Sequence, residues 1–290
     1  MKKIVAIHDL SGYGRASLTV AIPILTHMGY QVCPLPTAIL SAHSEYKNFR
    51  SLDLTDYMES FIAHWKELQI QFDAIYTGYL ASVKQMGIVS DFFSHFKNDQ
   101  NFILVDPVLG DHGELYSSMT LDMVEGMRNL CAQAKVITPN LTEAAFLLGY
   151  NPQQEISVDT AIQWCKQLSE LGPEHVIITS APGSNAQNVA TIAYNRLDHR
   201  TWRVLCDYIP ASYPGTGDAF ASVITGSMLN GDSLPEALDR AVHFINMGIK
   251  ATFGYAHNPL DGMNQEKVLH YLNEPLPYYK YELVETNEKI

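Results

Sequence analysis

Short apolar runs rich in β-formers alternate with helical patterns along most of this 290-residue chain. Few folds satisfy such an alternation. Parallel neighbours need a crossover between them, so it predicts an α/β, three-layer arrangement: a mainly parallel central sheet with helices on both faces. Strands are predicted at 4–7, 31–35, 74–76, 102–106, 136–138 and 175–179, and 189–194 with 202–205 reads as an antiparallel hairpin. Helices are predicted near 16–29, 53–68, 82–97, 119–132, 141–149 and 159–171, then near 218–229, 234–252 and 264–273. No repeat, low-complexity run or linker breaks this series, so residues 1–290 read as one domain. Two stretches fit neither pattern. Residues 33–50, polar yet aromatic over 33–46, read as a small flap or edge element. The tail 274–290, with Pro275 and Pro277, reads as extended and docked on the surface.

Polar residues recur just past strand ends: Asp9, Tyr79, Asp106, Asn140 and the pair Thr179-Ser180. Each alone is a plausible turn former or cap. Together they line one rim of a parallel sheet, where ligands bind in open α/β folds.

Composition narrows the class. Apolar residues at 47% and charged residues at 17% suit a globular enzyme with a real core. No apolar run approaches the ~20 residues that span a bilayer, which argues against a membrane. Met1-Lys2-Lys3 precedes an apolar stretch that ends at His8-Asp9, short of the ~7–15 residues of a signal sequence. A net charge of −12 argues against nucleic acid and leaves any polyphosphate to be held by local groups. The four scattered cysteines form no Cys-x-x-Cys pair, and buried thiols of this kind point to the cytoplasm.

The most informative segment is Tyr213-Pro-Gly-Thr-Gly-Asp-Ala-Phe-Ala-Ser222. It opens a helix whose apolar spacing runs through Phe220, Val223, Ile224 and Met228. The free amides of a helix start form an anion site, and Gly215 and Gly217, flanking Thr216, let an anion approach the backbone. Asp218 is the odd member. It either caps the helix, or accepts a proton from a nucleophile attacking a phosphoryl group.

Other motifs are weaker. Gly12-Tyr-Gly-Arg-Ala-Ser17 ends in serine where a dinucleotide fingerprint needs a third glycine or alanine, and Leu35-Pro36-Thr37 stands where its acidic residue belongs. A loop lining a small-molecule pocket fits better, with Asp9 and Ser11 as hydrogen-bonding groups. Asn140-Leu-Thr-Glu143 has the form of a capping box; alternatively Asn140 and Glu143 hold Mg²⁺ through water. Asp106, left at the rim by Pro107, could assist that metal. Neither a phosphate-binding Gly-x-x-x-x-Gly-Lys-Ser/Thr loop nor the protein-kinase signatures occur.

In order and spacing these residues resemble the ribokinase superfamily, and within it the pyridoxal/pyridoxamine (vitamin B6) kinases. The resemblance rests on Gly215-Thr216-Gly217-Asp218, on Asp106 to Asp111, on Thr138 to Glu143, on Thr77-Gly78-Tyr79 and on Ile178-Thr179-Ser180, and runs over about 4–252. It implies a ribokinase-like fold and phosphorylation of the 5′-hydroxymethyl group of a B6 vitamer by MgATP, with a monovalent cation left open, and a homodimer. Asp218 would be the base and the 215–217 amides the anion hole. Asp106, Asn140 and Glu143 would sit near metal and phosphate, Thr179 and Ser180 at ATP, Tyr79 on the pyridine ring, and Asp9, His43 and Ser44 at its polar edge. Many relatives carry Ser-His where this chain has Asp9-Leu10, and Ser-Asn-His-Thr where it has Ser41-Ala42-His43-Ser44, so vitamer preference stays open. The hydroxymethylpyrimidine kinases, with a first loop richer in glycine, are the second reading. A non-catalytic binder of pyridoxal phosphate or nucleotide is the rival of another class.

Overall fold

The computed structural model describes residues 1–98, 100–276 and 278–284. The first half alternates as expected except for an added short strand, β3: β1 (Lys3–Ser11), α1 (Leu18–His27), β2 (Gln31–Leu40), β3 (Ser51–Asp53), α2 (Thr55–Glu67), β4 (Ala74–Thr77), α3 (Val83–Phe96) and β5 (Phe102–Val105). A small hairpin follows, β6 (Gly110–Asp111) with β7 (Glu114–Leu115), then α4 (Leu121–Cys131), β8 (Val136–Ile137), α5 (Leu141–Leu148) and α6 (Val158–Ser169). The chain closes with β9 (His175–Pro182), β10 (Asn188–Asn195), β11 (Arg200–Asp207), α7 (Thr216–Asn230), α8 (Leu234–Phe253) and β12 (Tyr281–Val284).

The main sheet has the order β12-β11-β10-β9-β8-β5-β4-β1-β2-β3. From β9 to β2 every pairing is parallel, and antiparallel strands extend both edges. Side chains alternate between two buried layers. Val5, Ile7, Ile75, Ile103 and Ile137 join the core beneath α2 to α6, whereas Ile4, Ala74, Tyr76, Leu104 and Val136 join the core beneath α1, α7 and α8. A strand covered on both faces must be apolar throughout, which is why these runs are continuous. The chain steps from β1 to β2 on one side and later to β4 on the other. The crevice this reversal opens lies at the carboxyl ends of β1 and β4, beside Asp9 and Tyr79.

Three boundaries depart from the sequence reading. The strand expected at 31–35 runs on to Leu40 as β2, so the first part of the stretch read as a flap or edge element belongs to the sheet. The outer side of β2 is covered by β3 only at Ala38, Ile39 and Leu40, so Pro34 and Pro36 lie in an edge stretch that tolerates them; the loop proper is 41–50. The helix expected at 264–273 is replaced by 3₁₀ turns at Gln265–Lys267 and Leu269–Asn273. Neither turn has a side-chain cap to offset the cost of helix nucleation. In the described part of the tail, Tyr281–Val284 forms a strand paired with β11; residues 277 and 285–290 of the expected surface tail lie outside the described residues.

A buried polar knot fixes the β2 end of the rim. The Gln85 amide donates to Thr37 O at 2.9 Å and to Thr55 Oγ1 at 2.9 Å, while its carbonyl accepts from Ala81 N at 2.7 Å. Gln85→Ala would strand the Ala81 amide, worth about 1–3 kcal/mol when unsatisfied, and would leave the Thr37 carbonyl with the Leu54 amide as its remaining donor. The variant should unfold at clearly lower denaturant concentration than wild type; equal midpoints would contradict this role.

Candidate active site

Helix α7 begins at the rim, and its first turn dictates its sequence. Gly215 takes a left-handed conformation, φ 80°, and a Cβ there would lie 2.4 Å from Arg15 O. Only glycine fits both demands. The Cβ position of Gly217, by contrast, faces open space, with nothing within 4 Å. Thr216 Oγ1 donates to Tyr213 O at 3.1 Å and ties the turn down. No side chain caps this helix, so its leading amides have no capping partner.

Asp218 is not the cap of its own helix. Its Oδ2 accepts from the backbone amide of Ser17 at 2.8 Å, and its Oδ1 stands 3.8 Å from His8 Nδ1. Burial raises its pKa to about 6; the Ser17 amide opposes that shift and the nearby Asp9 charge adds to it. His8 is fully buried, edge-on to Tyr76 with ring centres 4.3 Å apart, and burial lowers its pKa to about 3. The neighbour of Asp218 is therefore a neutral imidazole, not a counter-ion. Tyr76 completes the support by donating to Asp218 O at 3.2 Å.

Asp9, at the end of β1, is buried and accepts from Ser11 Oγ at 3.1 Å and from Ser17 Oγ at 2.5 Å. Burial is the main cause of its raised pKa. Ser17 has φ 53° and ψ −126°, a conformation that costs a non-glycine residue on the order of 1–3 kcal/mol.

Across the crevice, Asp106 Oδ1 accepts from Thr138 Oγ1 at 2.8 Å. Burial and then repulsion from Asp218 raise its pKa to about 7. Asn140 and Glu143 form the capping box that their spacing describes, with bonds of 2.9 and 2.8 Å. Their remaining groups hold the 107–110 loop: Glu143 Oε1 accepts from Leu109 N at 3.2 Å, and Asn140 Nδ2 donates to Gly110 O at 2.9 Å. Both side chains thus have protein partners on each polar end. Among the described residues no three His, Cys, Asp or Glu side chains are grouped to hold a metal by themselves.

The other predicted groups spread along the rim. Thr179 N bonds Pro139 O at 3.0 Å, and Ser180 follows, exposed and at φ 58°. Tyr79 is half-buried, its hydroxyl 3.2 Å from Ser118 Oγ. His43 is buried but uses Nε2 on Leu260 O at 2.6 Å, and Ser44 beside it is exposed. Tyr46 and Tyr13 both donate to Asp261 Oδ1, at 2.6 and 3.1 Å, strapping the 41–50 loop and the loop between β1 and α1 to the 258–262 segment. Sequence reasoning missed His8 and Ser17. The signal for Ser17 was present as a serine in the slot where the glycine motif fails; His8 had none beyond adjacency to Asp9.

A three-layer α/β fold with a glycine-rich helix start, an aspartate on it and acidic residues across the crevice defines a kinase of the ribokinase superfamily. The chain belongs to the phosphomethylpyrimidine kinase family, whose model matches residues 6–261. A candidate phosphomethylpyrimidine kinase from Bacteroides thetaiotaomicron, crystallised with pyridoxal, is 54% identical, with a TM-score of 0.94 over 98% of this chain and 99% of that one. Pyridoxal kinase from Lactobacillus plantarum is 31% identical, with a TM-score of 0.85 over 94% and 96% of the two chains. The pyridoxine/pyridoxal/pyridoxamine kinase of Bordetella avium is 29% identical over 264 residues, covering 86% of this chain and 85% of its own.

The buried acids set a stability trend. Asp106 and Asp218 hold protons more tightly when folded, at about 7 and about 6 against an ordinary 3.8. Their contribution is therefore fully present below the ordinary value and is lost as pH rises through about 6 to 7. Asp106→Asn keeps an acceptor for Thr138 and removes the charge. It should raise Tm by about 2–4 °C or more at pH 8 and by little at pH 4. A lower Tm at pH 8, or the same gain at both pH values, would contradict the assignment.

Proposed function

We propose that the protein is a pyridoxal kinase, moving the γ-phosphoryl group of ATP to the 5′-hydroxyl of pyridoxal, pyridoxamine or pyridoxine. One observation carries this reading. A carboxylate with its pKa raised to about 6 stands on the first turn of an uncapped helix, beside open space over Gly217. That places a proton acceptor suited to neutral pH next to an anion-binding helix start. The pyridoxal in the crystal of the Bacteroides relative supports the substrate class. The family's description and that relative's name point to a pyrimidine ring, which keeps hydroxymethylpyrimidine as the second reading. Retention of Asp218 and both glycines speaks against a non-catalytic binder.

An alcohol is too weak an acid for Asp218 to ionise in advance, so the proton moves as the O–P bond forms. Such base catalysis is worth about 10²–10⁴-fold. The 215–217 amides would meet charge growing on the transferred group, each donor worth about 3–4 kcal/mol. Mg²⁺, when bound, would neutralise phosphate charge. Asp106 would hold it through water. Glu143, with both oxygens on backbone amides, would contribute by fixing the 107–110 loop, as would Asn140. Thr179 and Ser180 would border ATP; Asp9, Ser11 and Tyr79 would border the ring, with His43 and Ser44 shaping the loop beside it. We place the enzyme in the cytoplasm as a homodimer of single-domain subunits.

Asp218→Asn should lower turnover with pyridoxal by about 10²–10⁴-fold while ATP affinity stays nearly unchanged; near-normal turnover would overturn the role of Asp218. Because the base must be ionised, kcat/KM should fall about tenfold per unit as pH drops below about 6. A flat acid limb down to pH 4.5 would contradict it.

A further inference from the structure

Ser17 joins two carboxylates that come from opposite ends of the site. Its backbone amide donates to Asp218 Oδ2 at 2.8 Å, and its hydroxyl donates to Asp9 Oδ1 at 2.5 Å. It stands at the N-cap of α1, where a serine hydroxyl ordinarily accepts from its own helix. Here it makes no such bond. The helix is entered through the Ser17 carbonyl alone, which accepts from Val20 N at 3.0 Å and Ala21 N at 2.9 Å. The hydroxyl is thus free of any capping duty. The backbone, at φ 53° and ψ −126°, is one that glycine adopts readily and serine rarely. A residue poorly suited to its conformation is retained where its side chain reaches Asp9.

The consequence is geometric. With Oδ2 of Asp218 held by the Ser17 amide, Oδ1 is left facing His8 Nδ1 at 3.8 Å, beyond hydrogen-bond reach. Asp9 is pinned on its second oxygen by Ser11. We propose that Ser17 is a positioning residue that locks the proton-accepting carboxylate of Asp218 to the ring-facing carboxylate of Asp9, so that a ring seated against Asp9 fixes which oxygen of Asp218 meets the reacting hydroxyl. This rests on the kinase reading above for the identities of base and ring. An alcohol that leaves Asp9 untouched should then lose kcat more than affinity.

Ser17→Gly tests it, because glycine fits the backbone and keeps the amide while removing the hydroxyl. The expected result is a Tm at or above that of wild type, an unchanged KM for MgATP, and a kcat with pyridoxal lower by roughly 10- to 100-fold, with a smaller change in its KM. Asp9→Ala, which removes the acceptor of the Ser17 hydroxyl, should add little to the loss of kcat on top of Ser17→Gly, since both break one link, while any lost ring contact at Asp9 shows in the KM for pyridoxal. A kcat close to that of wild type, losses that multiply in the double variant, or a failure of Ser17→Gly to fold would each overturn the proposal. Wild type inert toward every alcohol would instead defeat the kinase reading. The link is then read without turnover, from the Tm values of wild type, Ser17→Gly, Asp9→Ala and the double variant. Non-additive shifts support it and additive shifts overturn it.

Discussion

The start of α7 is seated against the loop that leaves β1, and the crevice depends on that contact. Gly215 comes so close to Arg15 O that no side chain fits between them, and the Ser17 amide meets the Asp218 carboxylate one turn further on. The same loop is anchored from behind: Arg15 N and its guanidinium both bond Asp261 O, at 3.2 and 3.0 Å. Segments some two hundred residues apart thus set Asp218, the helix start and the polar end of β1 in one frame. The parallel sheet makes this possible by delivering every strand's carboxyl end to the same rim.

That frame concentrates negative charge. Asp9, Asp106, Asp218 and Glu143 are all raised by burial in a chain already carrying −12. Such a cluster opposes folding at neutral pH, and natural sites retain such tension where function needs it. It also defines what the crevice accepts. A bare anion would be held only by the amides at the head of α7, whereas a metal–phosphate complex would be welcomed by the carboxylates as well.

Much of this was legible in the residues. The apolar runs, covered on both faces, announced the parallel core, and the Gly215–Asp218 turn and the rim aspartates announced the site. The Asn140–Glu143 spacing favoured a capping box over a metal site when taken alone. The structure forms the box, and the remaining polar groups of both side chains hold the 107–110 loop. Ser17 and His8 were hidden for a different reason. Their roles arise from contacts with Asp218, which no local pattern encodes. The strand expected at 31–35 runs on to Leu40, and Pro36 hid that continuation, since tolerance of proline depends on which side of a strand is open, and that is a property of the assembled sheet.

The identity of the acceptor alcohol is the centre of the account. Wild-type enzyme with MgATP labelled in the γ position, offered pyridoxal, pyridoxamine, pyridoxine and hydroxymethylpyrimidine separately at equal concentration, measures it directly. The account predicts label in the 5′-phosphate of a B6 vitamer, formed faster than hydroxymethylpyrimidine phosphate. Label in hydroxymethylpyrimidine alone, or transfer to none of the four, would contradict it.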